Sequence, residues 1–136
     1  MIGRDQVKKM LSRLLNGGLL NRLPKKFSDT ELLMASAASS FSAKQQYSEQ
    51  EVNDHLVNWL RGFTDPTGLD HVTVRRCLID LKFLLRNPSG SSYWTNEAKI
   101  SSVLALEARS IHPRDVLSEI QREREARKRV ARNDHE

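Results

Sequence analysis

Between Tyr47 and Trp94 three local signals follow one another in a fixed order, and that order restricts the fold more than any other part of the chain. Tyr47-Ser48-Glu49-Gln50-Glu51-Val52 opens a helix. Ser48 and Glu51 have the spacing of a capping box, and Tyr47 and Val52 that of a hydrophobic staple. Val52, Leu56, Trp59 and Leu60 then recur on one helical face. Gly62 to Gly68 (GFTDPTG) breaks the helix, and Asp70 is placed to cap a second one that begins His71-Val72-Thr73-Val74-Arg75-Arg76. Val74, Leu78, Leu81 and Leu85 form its apolar stripe, with Cys77 beside it. Leu84-Leu85-Arg86 and Ser91-Ser92-Tyr93-Trp94 flank Asn87-Pro88-Ser89-Gly90, the pattern of a short hairpin. Helix, turn, helix and hairpin in this order are the plan of a winged helix-turn-helix, which presents a helix and a wing together to a duplex.

The flanks extend this unit with helices. Val7, Met10, Leu11, Leu14 and Leu15 share a face over Asp5–Asn16, and Gly17-Gly18 stops that helix. Such a helix either packs on the core or serves dimerisation, and its sequence does not choose. Ser28 and Glu31 repeat the capping-box spacing, with Phe27 and Leu32 as staple, and predict a helix running to about Phe41. Asn96 to about Arg109 reads as helical through Ile100, Val103, Leu104 and Ala108. Pro113 suits the first turn of a last helix, whose stripe of Val116, Leu117 and Ile120 gives way to charge. Glu123 with Arg127 and Glu125 with Arg129 are spaced as helical ion pairs. The expected architecture is therefore mainly α with a small β-hairpin: an N-terminal amphipathic helix (1–22), a winged-helix-like domain (23–95) and a charged helical extension (96–136).

Charge is unevenly placed along the 136 residues, whose net value is +5. Residues 1–26 carry Arg4, Lys8, Lys9, Arg13, Arg22, Lys25 and Lys26 against Asp5 alone. Residues 27–67 reverse the balance, and basic character returns at Arg75, Arg76, Lys82 and Arg86. A concentrated basic surface favours polyanionic partners through phosphate contacts and counterion release. The lone Cys77 excludes an internal disulfide and fits a reducing, cytoplasmic setting. No apolar run approaches a membrane span, and MIGRDQVKKM lacks the apolar centre of a signal peptide.

In a winged helix-turn-helix the first residues of the second helix reach base edges, which here are His71, Thr73, Arg75 and Arg76. Arg86 at the base of the wing, and Ser91 and Ser92 near its tip, are placed for phosphate, as are Lys25 and Lys26. The competing possibility is that Arg75 or Arg76 pairs with Asp70 or Asp80 as surface ion pairs of little individual weight. No catalytic residue, cofactor or metal is expected. Glu51 and His55 stand one turn apart, but His55, His71, His112 and His135 are scattered and no further ligand joins them. Phosphate loops, dinucleotide turns and nucleophile elbows are missing from the sequence.

Four segments carry a family resemblance: Leu23-Pro24-Lys25-Lys26, Tyr47 to Asn53, Asp70 to Asp80, and Gly90-Ser91-Ser92-Tyr93-Trp94. Together the chain resembles an uncharacterised bacterial domain-of-unknown-function family that also occurs fused behind ArsR-type winged-helix regulators. The resemblance spans about Leu23 to Trp94. It departs from the family at Lys82, where glycine is usual, and in the longer stretch from Arg61 to Gly68. It implies a winged-helix-like fold and a role in transcriptional regulation. The expectation is a double-stranded DNA-binding regulator, a homodimer through its terminal helices. The alternative is a winged-helix module that binds a protein partner without DNA.

Overall fold

A computed structural model describes residues 1–134 as a mainly helical chain with one small antiparallel hairpin. In chain order these are α1 (Arg4–Leu14), α2 (Phe27–Ser39), α3 (Glu49–Leu60), α4 (His71–Asp80), β1 (Leu84–Arg86), β2 (Tyr93–Thr95), α5 (Glu97–Val103) and α6 (Pro113–Asn133), with a short 3-10 turn at Leu106–Ala108. His135, one of the four scattered histidines, and the final Glu136 lie outside the described residues.

Local chemistry accounts for the starts of the two central helices. At α3 the Ser48 hydroxyl accepts from the Glu51 amide at 3.1 Å, and the Glu51 carboxylate accepts from the Ser48 amide at 2.9 Å. Both donors would otherwise lack partners at a helix start. Tyr47 and Val52, on either side of this turn, are both buried. At α4 the Asp70 carboxylate accepts from the Thr73 amide at 2.8 Å, which holds the acid below the usual carboxylate range.

Other expectations are corrected. α2 starts two residues early, with Lys26 in place of Ser28 at the N-cap and no side-chain cap; Ser28 lies within the helix and Phe27 is 62% exposed, so no staple forms. The cause is long-range. Asp29 is turned inward and holds Arg13 of α1 through two bonds of 2.7 and 3.1 Å, while Glu31 reaches Lys99 instead of the helix start. The stripe of α4 stops short of Leu85, because the helix ends at Asp80 and Leu85 sits on β1. Asn96 to Arg109 is not one helix. α5 ends at Val103, and the chain then extends to pair with Ile2, whose amide donates to the Val103 carbonyl at 2.7 Å and whose carbonyl accepts from Ala105 at 2.9 Å.

α2 is the centre of the molecule. Leu32, Leu33, Met34, Ala35, Ala37 and Ala38 are all buried, so the helix is apolar around most of its circumference and is covered by α1, α4 and α5. α1 buries Val7 and Leu11, with Leu15 just beyond its end, in the same core that receives Ile100, Val103, Val116 and Leu117 from the C-terminal segment. The amphipathic face of α1 is thus packed within its own chain. The hairpin pairs Leu84 with Thr95, Leu85 with Trp94 and Arg86 with Tyr93. Tyr47 adds a third rung on the far side of β2, exchanging two backbone bonds of 2.7 and 2.8 Å with Tyr93. The hairpin is thereby fixed to the start of α3.

The long turn between α3 and α4 is anchored elsewhere. Leu20 brackets Thr64 through backbone bonds to Phe63 and Asp65, and Gly68 lies against the Asn21 backbone so closely that no Cβ would fit. The residues from Arg61 to Gly68 therefore belong to a packed joint with the segment after α1.

Candidate nucleic-acid interface

Two residues of α3, four of α4 and two of the hairpin meet in one place. A cleft of about 340 Å³ is lined by Glu49, Arg75, Arg76, Ile79, Asp80, Arg86 and Tyr93; Asn53 stands behind it as the partner of Arg75.

The paired arginines of α4 have different surroundings. Arg75 turns back toward α3, where Nη1 donates to Asn53 Oδ1 at 2.5 Å and Nη2 lies 3.8 Å from Glu49 Oε1. Its side chain is only 16% exposed. The Glu49 carboxylate also accepts from the Tyr93 hydroxyl at 3.0 Å. Asn53, Arg75, Glu49 and Tyr93 thus connect α3, α4 and β2 through side chains. Arg75 does pair with an acid, but the acid is on α3 and is neither Asp70 nor Asp80. Arg76, one position on, is exposed and forms no ion pair among the described residues.

Arg86 ends β1 exposed, with its guanidinium folded against the wing turn. A Cβ on Gly90 would stand 3.2 Å from Arg86 Nη1, and Gly90 has φ +72°, so glycine both makes the turn and leaves room for the cation. The tip is braced internally: Asn87 Oδ1 accepts from the amides of Ser91 and Ser92 at 2.9 and 3.1 Å, and Asn87 Nδ2 donates to the Ser91 hydroxyl at 2.8 Å. The Ser92 hydroxyl donates to Gln46 Oε1 at 3.0 Å. Both serine hydroxyls therefore have partners within the protein.

The remaining candidates are dispersed. Thr73 is exposed on the first turn of α4. His71 lines a different cleft, of about 360 Å³, between the end of α3 and the long turn, beside Val57, Arg61, Pro66 and Leu69. Lys25 and Lys26 are exposed at the entrance to α2 and line neither cleft. Cys77 is half-buried, and burial together with Asp80 pushes its thiol pKa up, which favours the unreactive protonated form. Glu51 is engaged in the α3 cap, while the His55 ring stacks 3.9 Å from Phe41 and its Nε2 lies 2.7 Å from the Ser40 hydroxyl. No group of three or more His, Cys, Asp or Glu that could hold a metal ion occurs among the described residues.

Sequence reasoning missed Glu49, Asn53 and Tyr93 as parts of this site. A signal was present: Glu49 and Asn53 lie four residues apart on α3, off its apolar stripe, where they share a face.

Residues 19–95 match a family described as "Uncharacterized protein conserved in bacteria (DUF2087)". No curated protein and no solved structure matches the chain.

Proposed function

The chain belongs to this uncharacterised family conserved in bacteria, and we propose that it is a DNA-binding winged-helix protein of the transcriptional-regulator kind, a binding module and not an enzyme. The element order supports this. α2, the Tyr47 rung, α3, α4, β1, a braced turn and β2 follow one another as the helices, strands and wing of a winged helix-turn-helix do. The observation that carries the proposal is the pair Arg76 and Arg86. One projects from α4 and the other from the hairpin, on the same cleft, and neither forms an ion pair among the described residues.

In this proposal Arg76 meets a guanine edge in the major groove and Thr73 a neighbouring base. Arg86 and the backbone of the wing turn hold phosphate. Arg75 is a positioning residue, because its guanidinium is engaged with Asn53 and Glu49 and sets the angle between α3 and α4. A homodimer would place two such helices on half-sites one DNA turn apart. A cytoplasmic location is part of the same proposal; among the described residues no helix is long and apolar enough to cross a membrane.

Glu49 and Asp80 on the cleft favour a second reading, a basic protein partner in place of DNA. Duplex titrations by fluorescence anisotropy at two salt concentrations separate the two. DNA binding predicts affinity that falls steeply with salt and drops in the Arg76→Ala/Arg86→Ala variant. Equal binding by wild type and variant, or no binding at low salt, overturns the DNA reading.

A further inference from the structure

α1 and α6 run side by side in the same direction. Arg4 Nη1 donates to the Glu107 carbonyl at 3.0 Å just before α6 begins, and Arg124 Nη2 donates to Asn16 O and Oδ1 at 2.6 and 2.9 Å just after α1 ends. The contact ends there, but α6 continues to Asn133. Every residue from Gln121 to Asp134 is exposed. The part beyond Arg124 projects about 15 Å past the bonds that anchor it.

The charges of this arm are sorted around the helix. With about 100° between successive residues, Arg122, Arg124, Lys128, Arg129 and Arg132 fall on one half, with Glu125 as the acid among them. Glu123, Arg127 and Asp134 fall on the other half, where Glu123 and Arg127 pair at 3.7 Å. On the basic half Arg124 is held by Asn16, and no carboxylate lies within ion-pair distance of Arg122, Lys128, Arg129 or Arg132 among the described residues.

We infer that this basic half of α6 is a second contact for duplex DNA, one that grips the phosphate backbone without reading sequence. Charge complementarity selects the occupant. A second copy of the chain would need a sustained apolar seam, whereas the arm offers Ala126, Val130 and Ala131 alone. A lipid surface would need an apolar face, which the arm also lacks. A polyanion needs only the row of cations. The arm lies outside residues 19–95, so it adds to the groove contact of α4 and the wing and does not depend on how those read bases.

The test uses the full chain in two variants: Arg122→Gln/Lys128→Gln/Arg129→Gln/Arg132→Gln in the arm, and Arg76→Ala/Arg86→Ala at the cleft. Affinity for a short mixed-sequence duplex is measured across a salt series, with helicity checked by circular dichroism. The arm variant should flatten the plot of log affinity against log salt by roughly two to four units, about 0.9 for each phosphate that is no longer neutralised. An Arg129→Lys/Arg132→Lys variant should keep the wild-type slope, since charge and not geometry is used. An unchanged slope in the arm variant overturns this inference while leaving the groove proposal standing. A collapse in the arm variant alone, with Arg76→Ala/Arg86→Ala equal to wild type, supports the arm and overturns the groove proposal. Absence of duplex binding by wild type at low salt overturns both.

Discussion

Lys82 shows how a single position records both the fold and its cost. It stands at φ +67°, a left-handed conformation that side chains disfavour. It is held there because α4 ends in a paired motif: the Lys82 amide donates to the Ile79 carbonyl at 3.1 Å and the Phe83 amide to the Leu78 carbonyl at 2.9 Å. Phe83 and Leu78 are both fully buried, so packing enforces the bend whatever residue occupies the corner. A glycine at this corner would take the left-handed conformation without the penalty of a Cβ. Lys82→Gly should therefore stabilise the protein by about 0.5–1 kcal/mol, read as a higher urea midpoint at constant slope. Ser48→Ala should act oppositely and cost about 1 kcal/mol, because the Glu51 amide loses its acceptor.

Two histidines give the stability a pH dependence. Burial lowers the pKa of His55, which stacks on Phe41, and of His112, which caps α6 beside Trp59 and Phe63 and also feels the Arg114 charge. As pH falls through their ordinary value of 6.5, the unfolded chain takes up protons before the folded chain does. Stability should then be undiminished by these groups above pH 7 and decline from there toward pH 5. Thermal midpoints of wild type and a His55→Gln/His112→Gln variant across this range check the effect, and the variant should show a shallower decline.

At the scale of elements, what could be read from sequence depended on how local the cause was. The starts of α3 and α4 were legible because Ser48, Glu51 and Asp70 act within one turn of themselves. So was the hairpin, whose turn is closed by Asn87 and Gly90. The start of α2 was not, because the direction of Asp29 is set by Arg13 in another helix. The break after α5 was not, because Ile2 supplies the backbone partners that let Val103 to Ala105 extend. The site follows the same division. That Arg76 lies on a helix and Arg86 on a hairpin is legible from local signals, but the capture of Arg75 by Asn53 and Glu49 depends on how α3 and α4 cross. Asn53→Ala should release Arg75 and loosen that crossing; hydrogen exchange at α4 amides should quicken while those of α5 stay unchanged.

For the whole molecule, the N- and C-terminal segments contribute to the same core as the central unit. Leu11 is fully buried at the meeting of α1 with that core. Leu11→Ala should cost about 2–5 kcal/mol, and unfolding should remain a single transition, seen equally by Trp fluorescence and far-UV dichroism. Two separate transitions would show that α1 folds independently of the α3, α4 and hairpin unit.

If α4 and the hairpin present Arg76 and Arg86 together to duplex DNA, as proposed, affinity depends on both side chains and on salt. The most direct measurement is the salt-dependent affinity of the full chain for duplex DNA, beside that of Arg76→Ala/Arg86→Ala. Wild type should bind tightly at low salt and weaken steeply as salt rises, with a marked loss of affinity in the variant at every salt concentration. Identical curves for the two proteins, or no wild-type binding at low salt, would overturn the DNA-binding proposal.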